Sequence, residues 1–268
     1  MPISVRFMAR RLLLLACLSV SVVLQAHAVD EVPPTGVSGE PTDSAFSDDT
    51  SLGSEDDFPA DEDFSVVSDP LEKINRVTFW FNDKLYFYML KPVARAYRVV
   101  PESIRVSVAN FFTNLGSPVR AVNAAFQMKL ADAGNEMGRF IINSTLGIGG
   151  LFDPAEKYGE IRETDEDFGQ TLGAYGAGPG FYVVLPFLGP SSLRDGVGMV
   201  VDTGMSPLYN YAERDEKDNQ YLALKGLEAV NTVSLDKDTY ESIKRDALDP
   251  YQFVRDAYIQ NRQGKIRK

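Results

Sequence analysis

The hydroxyl groups of this sequence lack the partners that nucleophilic catalysis needs. Thr171 lies in the stretch GQTLG at 169–173, which mimics the spacing of a nucleophile elbow with Thr in place of Ser. Its hydroxyl would need a histidine as general base, yet the only histidine is His27 and the only cysteine is Cys17. Both precede the part of the chain that we expect to fold. An enzyme would have to rely on carboxylates, Lys, Tyr or Arg.

Two glycine-rich stretches look like phosphate-binding loops but do not meet the requirements. GIGG at 147–150 and GAGPG at 176–180 are not followed by G-K-[ST], and neither completes G-x-G-x-x-G. The lack of histidine and cysteine also argues against a zinc site of the usual type. The sequence therefore predicts no catalytic residue, no metal and no cofactor, and it favours a protein that is not an enzyme.

The stretch FGQTLGAYGAGPGFYVVLPFLGPSSL at 168–193 carries no charged side chain. A helix needs about 20 apolar residues to cross a bilayer, so the stretch is long enough. Its glycines and prolines oppose that structure, because each proline inside a helix costs about 3 kcal/mol. Two interpretations stay open. The stretch is either a buried connector between core helices, or a hairpin or re-entrant segment that packs on the helices and lines a passage.

The N-terminus has the pattern of a secretory signal peptide over residues 1–28. Three arginines precede an apolar run at 12–24, and an A-x-A site then predicts cleavage after Ala28. The protein is thus expected outside the cytoplasm. The alternative is a lipobox that ends at Cys17, whose lipidation would anchor the protein. The residues after Cys17 stay apolar, and this favours cleavage after Ala28.

The formal net charge of −11 comes mainly from one segment. Residues 29–68 are rich in Asp, Glu, Ser, Pro and Gly and hold no Lys or Arg, so we expect a disordered acidic linker. Residues 70–268 hold 25 acidic and 24 basic side chains and are nearly neutral. The predicted folded domain is 69–262, and 263–268 form a basic tail. No concentrated basic patch points to nucleic acid.

The folded domain begins with Asp69-Pro70 and a helix over 71–90. An apolar stripe at helical spacing includes Ile74, Val77 and Phe81. Such a stripe usually faces a protein core. The alternative is a helix in a membrane interface, where aromatic side chains accumulate. The membrane-interface candidates are Phe79, Trp80, Phe81, Tyr86, Phe87 and Tyr88.

The remaining periodicity predicts further short helices and no sustained strand, except briefly at 181–185. One helix is expected near 101–115 and a separate one from Ser117-Pro118. Others are expected at 130–146, 194–201, 222–233, 239–247 and 250–262. The predicted fold class is therefore all-α.

The folded domain resembles the VacJ/MlaA family of outer-membrane phospholipid-transport lipoproteins. The resemblance is carried by DPLEKINRVTFWFN, KPVARAYR, VPESIRVSVANFFTNLGSPV, RFIINSTLGIGGLFD, EDFGQTLGAYGAGPGFYVVLPFLGPSSLRD and DPYQFVRDAY. Together these stretches span nearly all of the domain. The sequence departs from the family at its weak lipobox.

The resemblance implies a ring-like assembly of short amphipathic helices in the inner leaflet of the outer membrane. It implies a channel that removes mislocalised phospholipids from the outer leaflet and passes them to a periplasmic lipid carrier, and it implies binding to a trimeric porin. A hairpin that gates the channel maps onto 173–188. Its gate candidates are Gly173, Gly176, Gly178, Pro179, Gly180, Phe181 and Pro186.

Arg120, Arg139 and Arg194 flank apolar segments and could meet a phosphate headgroup. The favoured alternative is that each is a structural ion-pair partner. Two other functions stay open: a scaffold that only binds porin, and a carboxylate-based hydrolase of lipid or cell wall.

Overall fold

The computed structural model describes residues 67–214 and 217–267. The predicted signal peptide, Cys17 and nearly all of the acidic linker lie outside the described residues. The helices are α1 Glu72–Leu85, a π-helix Tyr86–Leu90, α2 Lys91–Tyr97, α3 Glu102–Phe126, α4 Leu130–Thr145, α5 Pro154–Gly159, α6 Phe168–Ala174, α7 Leu193–Met205, α8 Pro207–Arg214, α9 Asp218–Leu235, α10 Thr239–Asp246 and α11 Pro250–Arg267. Two strands, β1 Tyr182–Leu185 and β2 Gly189–Ser192, form an antiparallel hairpin.

The all-α prediction is confirmed, but one predicted helix boundary is wrong. We expected a new helix at Ser117-Pro118, whereas α3 continues through Pro118 without interruption. A proline normally breaks a helix because it lacks an N–H donor. Here Arg120 donates to the Thr113 carbonyl oxygen (3.0 Å) and to Ser117 Oγ (2.8 Å), which supplies hydrogen bonds beside the proline.

The C-terminal helix also extends beyond its expected end. Helix α11 runs to Arg267, so the predicted domain boundary at 262 falls inside a helix. Residues of the predicted basic tail take part in packing. Lys265 forms an ion pair with Asp165, and a side chain placed at Gly173 would meet Ile266.

Several helices turn their polar residues inward and their apolar residues outward. Helix α4 buries Glu136, Arg139 and Asn143, which are spaced three and four residues apart on one face. Leu130 and Ile141 on the same helix are exposed. This arrangement is the reverse of a water-soluble helix bundle, whose apolar stripe faces the core. Within the described ranges, no helix has both the length and the hydropathy for a membrane crossing.

Helix α1 follows the same reversed pattern, so its predicted core stripe is wrong. Asn75 and Asp83 are its buried residues, while Ile74, Val77 and Trp80 are each at least 60% exposed. Exposed apolar patches of this kind mark membrane or protein contact surfaces.

Among the membrane-interface candidates, Phe79 and Phe87 are partly buried against apolar clusters, and the most buried is Tyr86. Its side chain is buried, and its hydroxyl donates to Glu241 (3.1 Å) while its ring packs on Tyr240. Tyr86 therefore stabilises the contact between the π-helix and α10 and does not lie at an interface.

Two asparagines of α1 hold the β-hairpin. Asn75 accepts a hydrogen bond from the Val184 backbone N–H (2.8 Å) and donates to the Tyr182 carbonyl oxygen (3.1 Å). Seven residues later, Asn82 donates to the Leu185 carbonyl oxygen (2.9 Å) and accepts from the Phe187 N–H (2.8 Å). A spacing of seven residues puts both amides on one helix face. They take the place of a third strand beside β1.

Helices α6 and α7 touch through glycine. A Cβ atom at Gly198 would lie 2.4 Å from the Gly169 nitrogen, so only glycine permits this approach. The contact brings the N-termini of two helices together, and both N-termini are capped by side chains. Asp167 accepts from the Gln170 N–H (2.8 Å), and Ser192 accepts from the Asp195 N–H (3.2 Å).

The Gly198 contact generates a stability prediction. Gly198→Ala should lower the free energy of unfolding by about 1–3 kcal/mol, because the new methyl group meets backbone that cannot move aside. The matched control is Gly204→Ala on the same helix, where a Cβ atom has open space. That change should be neutral or stabilise by up to about 1 kcal/mol, since alanine favours a helix. Thermal unfolding in detergent micelles, followed by circular dichroism, measures both. Equal effects would contradict the close contact.

A charged cavity between the helices

A cavity of about 350 Å³ lies among α3, α6, β2, α7, α9 and α11. Charged side chains of both signs contribute to its wall, although the surrounding helices expose apolar residues outward. We call it the polar cavity and define it by Arg120, Asp167, Asp195, Asp202, Lys225 and Arg262.

Arg262 is the central cation of this cavity. It makes a bidentate contact with Asp167, in which Nη1 lies 2.5 Å and Nη2 lies 2.9 Å from the carboxylate oxygens. The same guanidinium donates through Nε (3.0 Å) and Nη2 (2.9 Å) to Asp195. One buried arginine thus joins α11 to the start of α6 and to the first turn of α7. Charge-assisted bidentate pairs are the stronger class of hydrogen bond.

Asp195 is surrounded by further donors. Arg194 Nε donates to Oδ1 (3.0 Å), and the Tyr258 hydroxyl donates to Oδ2. These bonds satisfy a carboxylate that would be costly to bury alone.

The carboxyl groups of Asp167, Asp195 and Asp202 have different pKa values, because their hydrogen-bond partners differ. Burial opposes ionisation of Asp167 and Asp195, but the Arg262 guanidinium outweighs it and holds the pKa of each carboxyl below its ordinary value. Asp202 has no arginine bound to it. Burial raises the pKa of Asp202 to about 6, against the opposing effect of hydrogen bonds from Asn123 and the Phe168 N–H.

The three predicted headgroup arginines occupy different environments. Arg120 lines the polar cavity and contacts Glu136 through Nη2 at 3.0 Å. Arg139 does not line it, since its guanidinium is buried against Asp153 (2.6 Å). Arg194 is also buried and donates to Asp195 and to the Ala177 carbonyl oxygen (3.3 Å). Arg120 is therefore the one member of this predicted set that reaches the polar cavity.

The predicted gate segment comprises the end of α6, a loop, β1 and the turn that follows it. Gly176 and Gly180 have positive φ angles, and Phe187 in the β-turn also adopts a left-handed conformation at φ 66°. The loop is tied to the start of α7, because the Arg194 N–H donates to the Pro179 carbonyl oxygen (3.2 Å) and the Leu193 N–H to that of Phe181 (3.2 Å). The segment therefore lies next to Asp195, at the edge of the polar cavity.

Sequence reasoning missed the central residues of this site. Asp167 and Arg262 are far apart in the chain and belong to no local motif, so only the fold brings them together. One signal was present. Asp167 immediately precedes the uncharged stretch 168–193, and an aspartate in front of such a stretch occupies the position of a helix N-cap.

The fold and the cavity together define an α-helical protein with a charged interior and apolar outer faces. The family model described as "MlaA lipoprotein" matches residues 67–265, and the chain belongs to this family.

Relatives support the assignment. The chain is 38% identical over 197 residues to the intermembrane phospholipid transport system lipoprotein MlaA of Escherichia coli strain K12, covering 72% of this chain and 76% of the relative. It is 34% identical over 206 residues to the Haemophilus influenzae protein of the same name, covering 75% and 80%. An uncharacterized protein of Rickettsia bellii is 35% identical over 202 residues, covering 75% and 77%.

A solved structure supports the fold. It was reported under the words "Structural basis for maintenance of bacterial outer membrane lipid asymmetry" and aligns with a TM-score of 0.63. The alignment has 36% sequence identity and covers 74% of this chain and 99% of the solved chain.

The Arg262 contacts generate a second prediction. Arg262→Met should lower the free energy of unfolding by about 3–5 kcal/mol at neutral pH, because it leaves Asp167 and Asp195 buried without their main cation. Arg245→Met is the matched control, since that arginine is largely exposed and pairs only with its neighbour Asp246 and with Ser242. The control should leave the free energy of unfolding nearly unchanged, because an exposed ion pair contributes little to stability. Urea unfolding in detergent micelles gives both values.

The effect should depend on pH in a defined direction. A carboxyl group with a lowered pKa contributes stability above its ordinary value of 3.8, and this contribution is lost as the pH falls through the folded-state pKa. The difference between Arg262→Met and the unchanged protein should therefore shrink below pH 3.8. A difference that stays constant across this range would contradict the ionic role of Arg262.

Proposed function

We propose that the protein is a non-enzymatic phospholipid channel at the periplasmic face of the outer membrane. It removes mislocalised phospholipids from the outer leaflet, passes them to a periplasmic lipid-carrier protein and so maintains lipid asymmetry. Family membership and the relatives named for intermembrane phospholipid transport support this proposal.

The observation that carries the proposal is the reversed polarity of the helices. Exposed apolar residues on α1, α4 and α7 suit a lipid environment, whereas the interior holds Arg120, Lys225 and Arg262. A charged cavity enclosed by lipid-facing helices gives a headgroup a route that avoids hydrocarbon. Moving a lipid this way breaks no covalent bond, so it requires no histidine or cysteine.

The exposed apolar faces of the helices would also attach the protein to the membrane. Trp80, Phe81 and Tyr88 are exposed on neighbouring turns, and aromatic side chains favour the headgroup region. Because Tyr86 is buried and Phe79 and Phe87 pack against apolar clusters, the proposed interface set comprises Trp80, Phe81 and Tyr88. The outward apolar faces also offer a surface to a trimeric porin, which we propose as the partner that positions the channel.

The proposed gate is the segment 173–188. Its loop joins α6 to β1 and lies against Arg194, whose side chain contacts both the loop and Asp195. A change in loop conformation would therefore move the Arg194 side chain and alter its contact with Asp195 in the polar cavity. The glycines at 176, 178 and 180 give the loop the backbone freedom that such a change needs.

The first test is the amount of phospholipid in the outer leaflet of cells that lack the gene. We expect more phospholipid to become accessible to an externally added phospholipase, and we expect the intact gene to reverse the rise. No rise, with the protein shown to be expressed in the parent strain, would overturn lipid removal and favour the porin-binding scaffold. Release of lipid products by the purified protein would favour a hydrolase.

The gate assignment is tested by Gly178→Ile. A Cβ atom at Gly178 meets nothing within 4 Å, so the fold should tolerate the change to within about 0.5 kcal/mol. The branched side chain restricts the loop backbone, and outer-leaflet phospholipid should shift relative to cells with the unchanged protein. Gly226→Ile in α9 is the control, because this glycine is also exposed and in open space. Normal lipid removal by Gly178→Ile would overturn the gate assignment.

A further inference from the structure

A second cavity of about 230 Å³ lies beside the polar cavity and has a different chemical character. It is enclosed by α1, the π-helix, the turn between the strands, α10 and α11. We call it the apolar cavity and define it by Leu85, Met89, Leu90, Phe187, Ile243 and Val254. Among the described residues, no lysine or arginine lines it, in contrast to the polar cavity.

The two cavities share a wall. Leu188, Pro190 and Tyr258 line both of them. Tyr258 shows the change in chemistry across this wall, because its ring contributes to the apolar cavity while its hydroxyl donates to Asp195. A ligand that occupies both sides must carry a charged end and a hydrocarbon end.

We propose that the apolar cavity binds one acyl chain of a phospholipid whose headgroup lies on the side of the polar cavity. The proposal rests on the proposed function, and it names where the hydrocarbon part of the lipid is held. Apolar cavities of about 150 Å³ stay dry and accept benzene, so 230 Å³ accommodates roughly nine carbons at the same density. The site therefore fits the distal part of one chain.

Helix α10 supplies the cover of this site. None of its residues is fully buried, although Tyr240 packs against the apolar cluster of Tyr86, Ala94 and Val233. Its contacts are mainly polar and aromatic: Lys244 and Tyr240 reach Asp83 (2.5 and 3.2 Å), and Glu241 accepts from Tyr86. Asp238 at its start has a positive φ of 63°. To uncover the site, the helix would have to break the contacts of Lys244 and Tyr240 with Asp83 and withdraw the Tyr240 ring from Tyr86 and Phe87.

The π-helix forms the opposite side of the cavity. Tyr86, Met89 and Leu90 belong to this wider helical turn and line the cavity. Short π-helical segments occur frequently at functional sites because they displace side chains from the regular helical spacing.

The experiment uses the purified full chain with phosphatidylglycerol vesicles that contain one of two photoactivatable lipids. The first is a phosphatidylcholine with a diazirine at the methyl end of an acyl chain, and the second carries the diazirine on its headgroup. Crosslinked residues are identified by mass spectrometry. We expect the acyl probe to label Ile243 or Val254, and the headgroup probe to leave them unlabelled.

The matched variants are Ile243→Trp, which fills the cavity, and Leu248→Trp, which adds the same ring at a fully exposed position. Labelling of Val254 by the acyl probe should be lost in the first and retained in the second. Circular dichroism checks that both variants fold.

Labelling confined to the outer faces of α3, α4 and α7 in the unchanged protein would overturn the proposal. Equal labelling of Val254 by both probes would also overturn it, because the site would then not distinguish the chain from the headgroup. These outcomes are separate from a failure of the proposed function, which would show in cells as unchanged outer-leaflet phospholipid.

Discussion

The fold depends on the burial of charge at Arg262. A guanidinium inside a protein is tolerated only when its donors find acceptors, and Asp167 and Asp195 both provide them. Asp167 at the same time caps α6, and Asp195 lies in the first turn of α7. The ionic contact therefore sets the positions of two helix N-termini and of α11 around one cavity. With α6 and α7 held in these positions, the backbones at Gly169 and Gly198 come into close contact. Glycine is required there, because a larger residue would hold the two helices apart.

The same constraint accounts for the outward apolar faces. Since the interior consists largely of polar side chains, such as Asn123, Glu136 and Asn231, the helices cannot bury their apolar residues there. The small apolar clusters that exist are built mainly from tyrosines, including Tyr182, Tyr251 and Tyr258. In Tyr251 and Tyr258 the ring packs while the hydroxyl donates to Asp69 and Asp195, so these residues suit a polar interior.

The sequence predicted the existence of most helices, because helical periodicity holds whichever way the apolar face turns. It could not predict that direction: the stripe of Ile74 and Val77 is equally compatible with a core and with a lipid surface. The short helices α5, α6 and α8 were not predicted, because each has too few residues to reveal a helical repeat of apolar positions. The pairing of Arg262 with Asp167 depends on contacts between distant segments, which no local pattern encodes. The apolar cavity likewise arises from elements that meet only in the folded chain.

The attachment of the β-hairpin to α1 has a consequence for aggregation. A two-stranded hairpin leaves free backbone groups along its edges, and such edges can pair with strands of other molecules. On β1, the Val184 N–H and the carbonyl groups of Tyr182 and Leu185 are already bonded to the amides of Asn75 and Asn82. Side chains of a helix thus occupy the edge that a foreign strand would use. A chain with this much exposed apolar surface therefore keeps the outer edge of β1 closed to neighbouring molecules.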